Sequence, residues 1–371
     1  MVKPKKIFTE ALESVLINIW GGTKDHLEDS LIRKTRKALV VIRGAYRFKG
    51  EFPKKYPSTI QYRLPKNRAG YLAAFGQRHA YLTYAHLKKV EEINPEVIPK
   101  PEENRDELVI TTLGAGAAIE TYGICFFYNE DSQRLRKLRL NLVDKVDAWI
   151  PNRHTVFDKL LKGTFRKLEV IPTDIDADLT KDCIPKLANY YDAIAKSDIL
   201  LIYNVMNEIT TIHSDMVWRN IKFIINSSEQ PLLILLAEPS APNASPRVSW
   251  LKTQLAQCSD VIHIRDAEEF FFDSEPLCID FENTGIGLND RLFGQTMDGS
   301  KPQLISSLKR THMACRIEPQ SPISMEQVLK QFAMLKIRRG EKGRFLKQTS
   351  PQGTFWDKYP DWLEAPRTPK S

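Results

Sequence analysis

The rhythm of apolar and polar positions changes near residue 107. Before it, apolar positions recur at helical spacing. Phe8, Ala11, Leu12, Val15, Leu16 and Ile19 form one stripe, which Gly21 and Gly22 end. Leu27, Leu31, Leu39 and Val40 predict a second helix over 24–44. Residues 48–68, rich in Pro, Lys and Tyr, read as a loop. A long helix is predicted over 70–93, with Tyr71, Phe75, Tyr81 and Tyr84 making it unusually aromatic. Pro95, Pro99 and Pro101 then break the chain.

After residue 107, strand-length apolar runs alternate with helical stretches. The runs are Leu108–Leu113, Leu138–Val143, Leu168–Pro172, Asp198–Val205 and Leu232–Ala237. Helices are predicted over 117–129, 148–161, 182–196, 211–227 and 246–257. Strands this uniformly apolar cannot face water, so the pattern predicts a parallel sheet covered on both sides. Beyond 260 the pattern loosens. Val261–Ile264 and His312–Ile317 read as late strands, 284–300 as an insertion loop and 324–336 as a helix. The expected division is a helical N-terminal section (1–68), an α/β domain (69–320) and a basic C-terminal extension (321–371).

Composition narrows the class. The 371 residues are 42% hydrophobic and 27% charged, as in ordinary globular proteins. No apolar run is long enough to span a bilayer and no signal-peptide core follows Met1, so a cytoplasmic location is expected. The five cysteines are scattered without a C-x-x-C pair, and the histidines lack metal-ligand spacing; neither a disulfide framework nor a metal site is expected. The net charge of +8 is concentrated at Lys3–Lys6, Arg33–Lys37 and from Lys336 onward. These clusters suit a polyanion such as RNA, or simply a solvated face, because few aromatics are interleaved with them.

In an open parallel sheet, ligands bind beyond the carboxyl ends of the strands. The first run leads through ITTLGAGAAIET: a strand to Leu113, a turn at Gly114, Ala115 and Gly116, then a helix. The second run ends at Asp144 and Lys145, where a carboxylate can accept hydrogen bonds from both hydroxyls of a ribose. The third ends near Thr173, Asp174, Ile175 and Asp176, within reach of an adenine amino edge. The fourth ends at Tyr203, Asn204 and Val205 and continues to Asn207 and Glu208. The fifth ends at Glu238, with Arg247 beyond it. Each polar tip could also serve only to cap the next helix.

Taken in order, these segments resemble the class I S-adenosylmethionine-dependent methyltransferases. Thr112–Gly116 looks like their first motif, Asp144 like the ribose-binding acid and Asp174 like the adenine-side acid. Asp198–Glu208 is similar to their fourth motif, and Leu233–Pro239 to their fifth strand. The resemblance covers about 70–265, with the helix over 70–93 as a lid. It implies an α/β fold: a Rossmann-like methyltransferase sheet covered by helices on both faces, with a helical N-terminal section. It further implies S-adenosyl-L-methionine as cofactor, held by Leu113, Gly114, Ala115, Gly116, Asp144, Lys145, Thr173, Asp174, Ile175, Tyr203, Asn204 and Val205. Asn207, Glu208 and Arg247 would meet the acceptor: a small molecule, a protein or RNA.

No catalytic residue is nominated, because a sulfonium methyl is already reactive and a base is needed only when the acceptor keeps its proton. Thr112 stands where the family often has an acid, and Ala118 where it often has glycine. Glu120 either compensates or faces solvent. A nicotinamide site would require a third glycine and an acid about 20 residues on, and Ala117–Ile119 and the distant Asp144 depart from both. The reading from another class is a noncatalytic methyltransferase-like protein that binds RNA or a protein complex.

Overall fold

The computed structural model describes residues 4–24, 26–46, 60–100, 107–131, 135–162, 165, 167–206, 209, 213–239, 245–257, 261–273 and 307–318. The expected loop at 284–300, the helix at 324–336 and the basic C-terminal tail lie outside them.

Three helices come first: α1 (Pro4–Trp20), α2 (Asp29–Tyr46) and α3 (Pro65–Ile93). Pro65 begins α3 five residues earlier than the aromatic pattern suggests, since a first-turn proline lacks only an N–H that has no helical partner there. Strands β1 (Glu107–Leu113), β2 (Lys137–Asp144), β3 (Glu169–Asp176), β4 (Ile199–Tyr203) and β5 (Leu232–Pro239) follow, then β6 (Val261–Asp273) and β7 (Ser307–Ile317). Between the strands lie α4 (Glu120–Asp131), α5 (Ile150–Thr155), α6 (Ile184–Ala188), α7 (Tyr191–Ala195), α8 (Ser214–Asn226) and α9 (Ser245–Leu255). The helix expected over 182–196 is thus two short ones.

The sheet order is β3-β2-β1-β4-β5-β7-β6. All neighbouring pairs from β3 to β5 are parallel, and β7 runs antiparallel to both β5 and β6. Strand order reverses between β1 and β4, which opens a crevice at their carboxyl ends. Just before β4, Asp198 accepts the Val109 N–H at 2.7 Å and so sets the two switch-point strands side by side.

Alternation along each strand feeds two cores. Leu108, Ile110, Leu140, Leu142, Leu201 and Leu235 pack toward α1–α4. Val143, Leu200, Ile202, Ile234 and Leu236 pack toward α6–α9. β4 is buried throughout, as expected of a parallel strand with helices on both faces. The described N-terminal helices share their core with the sheet.

β3 does not stop at Pro172 but continues to Asp176, pairing Leu140 with Pro172 and Asp144 with Asp176. It is the edge strand, where a missing N–H is tolerated. On α4, a Cβ at Gly123 would lie 2.1 Å from the Ala80 carbonyl oxygen. Only glycine lets α4 approach α3 this closely.

Candidate functional site

The β1 tip turns at Gly114, whose φ is +62°. A Cβ there would sit 2.7 Å from Val205 Cγ2, so a side chain is excluded both by backbone conformation and by space. Gly116 (φ +50°) faces more open space. Its N–H donates to Asp144 Oδ2 at 2.7 Å, and the Val146 N–H donates to Asp144 Oδ1 at 2.8 Å. The glycine bend and the acidic tip of β2 therefore share one site. Burial pushes the Asp144 carboxyl above its ordinary range, while Arg153 and the two amide donors oppose that rise.

Across the switch point, Asn204 adopts φ +57° at the β4 tip. Two devices fix this turn. Glu238, wholly buried at the end of β5, accepts the Val205 and Met206 N–H groups, each at 2.7 Å. From α3, His79 Nε2 lies 3.2 Å from Asn204 Nδ2, and its Nδ1 lies 3.3 Å from Glu120 Oε1. Glu120 is thus turned inward rather than to solvent. Tyr203 hydrogen-bonds His86 Nδ1 at 2.8 Å. Burial, reinforced by Glu120, pushes the Tyr203 phenol well upward, so it remains a neutral hydroxyl.

Between these walls lies an open cleft of about 770 Å³ including its mouth. Its base is formed by Gly114, Gly116, Val143, Asp144, Lys145, Tyr203, Asn204 and Val205. Ala177, Asp178, Leu179 and Thr180 line the β3 side, and Tyr62, Tyr71 and Trp149 line the lid side. The three aromatic rings pack together with centroids 5.3–6.1 Å apart.

Of the residues nominated from sequence, seven line the cleft: Gly114, Gly116, Asp144, Lys145, Tyr203, Asn204 and Val205. Leu113 and Ala115 are buried beside it. Thr173, Asp174 and Ile175 lie short of the β3 tip because the strand runs on past Pro172. Asp174 points to α5 and pairs with Arg153, while Asp178 occupies the cleft wall. Arg247 donates to the Met206 carbonyl at 2.6 Å and does not line the cleft. Asn207 and Glu208 lie outside the described residues. Thr112 is buried, and its hydroxyl has no hydrogen-bond partner among the described residues.

Sequence reasoning missed Trp149, Asp178, Thr180 and Arg153. Trp149 and Arg153 follow the Asp144 tip within one short helical segment, so their proximity to that acid was the available signal. Among the described residues, no cluster of His, Cys, Asp or Glu could hold a metal, and no helix is long and apolar enough to cross a membrane.

No family model matches the chain, and no curated protein does. Solved structures do match, at low identity. A putative class I S-adenosylmethionine-dependent methyltransferase from Listeria monocytogenes is 9% identical, covering 86% of this chain and 90% of that one, with a TM-score of 0.34. Human methyltransferase 10 domain containing protein is 8% identical over 64% of this chain and 82% of its own, with a TM-score of 0.32. Aeropyrum pernix fibrillarin, solved with natively bound S-adenosyl-L-methionine, is 10% identical over 63% and 76%, with a TM-score of 0.30. The sheet itself combines a doubly wound parallel order, an antiparallel β7 set between β5 and β6, and a glycine bend at the switch point. The fold is α/β and Rossmann-like, with helices on both faces of the sheet.

An adenosine moiety fits the donor set of this cleft. Asp144 supplies a carboxylate at the β2 tip, Gly116 leaves backbone accessible, and Val143, Val146 and Leu179 offer apolar contact. The mismatch is at Thr112, which brings neither charge nor exposed surface to the methionine end.

Proposed function

We propose that this chain binds S-adenosylmethionine in the cleft and transfers its methyl group to an acceptor entering beside the β4 tip. The observation that carries the reading is the 2.7 Å hydrogen bond from Gly116 to Asp144, which joins the bare bend and the acidic tip in one cleft. Asp144 accepts the ribose hydroxyls. Asp178 and Thr180 stand on the β3 side, where the base would lie. Tyr62, Tyr71 and Trp149 cover the opposite wall, exclude water and present aromatic faces, which attract cations.

When bound, the cofactor supplies a methyl group on a cationic sulfur. The chain's own residues align and desolvate the acceptor. Asn204, held by the turn that Glu238 fixes, is the polar group at the acceptor side of the cleft. No histidine lines the cleft among the described residues. This favours an acceptor that reaches the site as a ready nucleophile, or one that loses its proton to water.

Incubation with S-adenosylmethionine radiolabelled in the methyl group tests the proposal, using separate RNA, protein and small-molecule fractions as acceptors. Label should enter one fraction with the wild type and none with Asp144→Ala. The noncatalytic reading draws on Thr112, where no charge meets the methionine ammonium. It predicts no transfer to any fraction, together with salt-sensitive RNA binding through the basic ends.

A further inference from the structure

We propose that Arg153 is the positioning residue of the cleft's nucleoside end: one guanidinium ties the Gly114–Gly116 bend to the tip of β2 and to Asp174 on β3, and holds the Asp144 carboxylate toward the ligand's hydroxyls. The proposal rests on reading the cleft as an adenosine site. Arg153 lies on α5 and is 2% exposed. Its Nε donates to the Gly116 carbonyl at 2.7 Å, and its Nη1 pairs with Asp174 on β3. Nη2 lies 3.6 Å from Asp144 Oδ2 and has no hydrogen-bond partner among the described residues. Gly116 is therefore gripped twice, through its carbonyl by Arg153 and through its N–H by Asp144.

A buried arginine is costly unless compensated. Here compensation comes from two carboxylates and one carbonyl drawn from three separate elements. That arrangement couples the site. If Asp144 takes up a proton, one oxygen ceases to accept hydrogen bonds and the grip on a pair of vicinal hydroxyls weakens. The charged groups facing Asp144 are Arg153 from α5 and Lys145 beside it in the chain. Asp174 from β3 shares the guanidinium, and His154 approaches Asp174 at 4.0 Å. Burial favours the protonated form of Asp144 and Arg153 is the largest opposing influence, so the cation keeps the acid in its accepting form.

Carbon NMR of protein labelled at aspartate carboxyls, with Asp144→Asn to assign the resonance, reads the Asp144 midpoint without any ligand. The midpoint should rise by about one pH unit or more in Arg153→Met. It should return most of the way in Arg153→Lys, which keeps the charge but loses the fork. In Arg153→Lys, calorimetric affinity for S-adenosylmethionine should still fall several-fold, because the Gly116 tie is gone. A folded Arg153→Met whose Asp144 midpoint is unchanged overturns the proposal. If Arg153→Met does not fold, Arg153→Lys carries the test, and wild-type affinity in that variant overturns it. Failure of the wild type to bind S-adenosylmethionine would instead sink the adenosine reading, and the carboxyl titration would still decide whether Arg153 governs Asp144.

Discussion

The two walls of the cleft face the same task, holding a strand tip in an unusual backbone conformation, and they meet it with opposite charges. On the β1–β2 wall a buried cation, Arg153, gathers a carbonyl and two carboxylates around Gly116. On the β4–β5 wall a buried anion, Glu238, gathers two backbone N–H groups around Asn204. The difference lies in what each leaves for a ligand. Both Asp144 and Glu238 accept backbone N–H groups, but Glu238 is wholly buried and does not line the cleft, so its wall is built mainly to keep its shape. Asp144 sits in the cleft lining with a titratable carboxyl, so the other wall can respond to a ligand and to pH.

Glu238→Leu should break the comparison most severely. It removes two charge-assisted hydrogen bonds and leaves two amides without that acceptor, for a loss of about 3–5 kcal/mol in urea unfolding. Recovery of near wild-type stability would show that the β4 turn does not depend on the carboxylate. Gly123→Ala should come next, at roughly 2–3 kcal/mol by the same measurement, because the added methyl meets backbone on α3. It should also weaken cofactor binding by shifting the helix that carries Tyr71.

The acid response sharpens the contrast. The Asp144 carboxyl is raised in the fold, so below that raised midpoint the folded chain binds more protons than the unfolded one. Its unfavourable contribution is thus fully present above the folded midpoint and is relieved as pH falls toward the unfolded value. Ligand affinity should move the other way, falling as pH drops through the raised midpoint, and the fall should be absent in Asp144→Asn. The smallest effect is expected at the β3 tip, where Lys186 pairs with Asp176 at 2.9 Å and both side chains are exposed. Lys186→Ala should change stability by less than about 0.5 kcal/mol.

The sheet was legible because β1, β4 and β5 are dominated by strand-length apolar runs alternating with helical stretches, the pattern of parallel strands covered on both faces. The glycine bend and Asp144 were legible for a related reason: a polar residue after an apolar run marks a strand tip. β3 misled because Pro172 looks like a terminator, and in a central strand it would be one. Thr173–Asp176, expected as the tip, are paired within the strand, so the cleft wall falls to Asp178 rather than Asp174. For Arg153 the only signal was its place nine residues after Asp144, and its other contacts left none. Its partners lie 37, 9 and 21 residues away, at Gly116, Asp144 and Asp174, and only the sheet order brings them together. His79, one of the histidines without metal-ligand spacing, was equally hidden, since its partner Asn204 lies 125 residues away on the β4 tip.

The central claim is that Asp144 and the Gly114–Gly116 bend form one adenosine-binding hollow. Calorimetric titration of S-adenosylmethionine into wild type and Asp144→Ala at neutral pH tests it most directly. Saturable one-to-one binding that weakens at least about tenfold in a folded Asp144→Ala is the predicted result, equivalent to about 1.4 kcal/mol. Equal affinity in the two proteins would contradict it, as would no binding by the wild type.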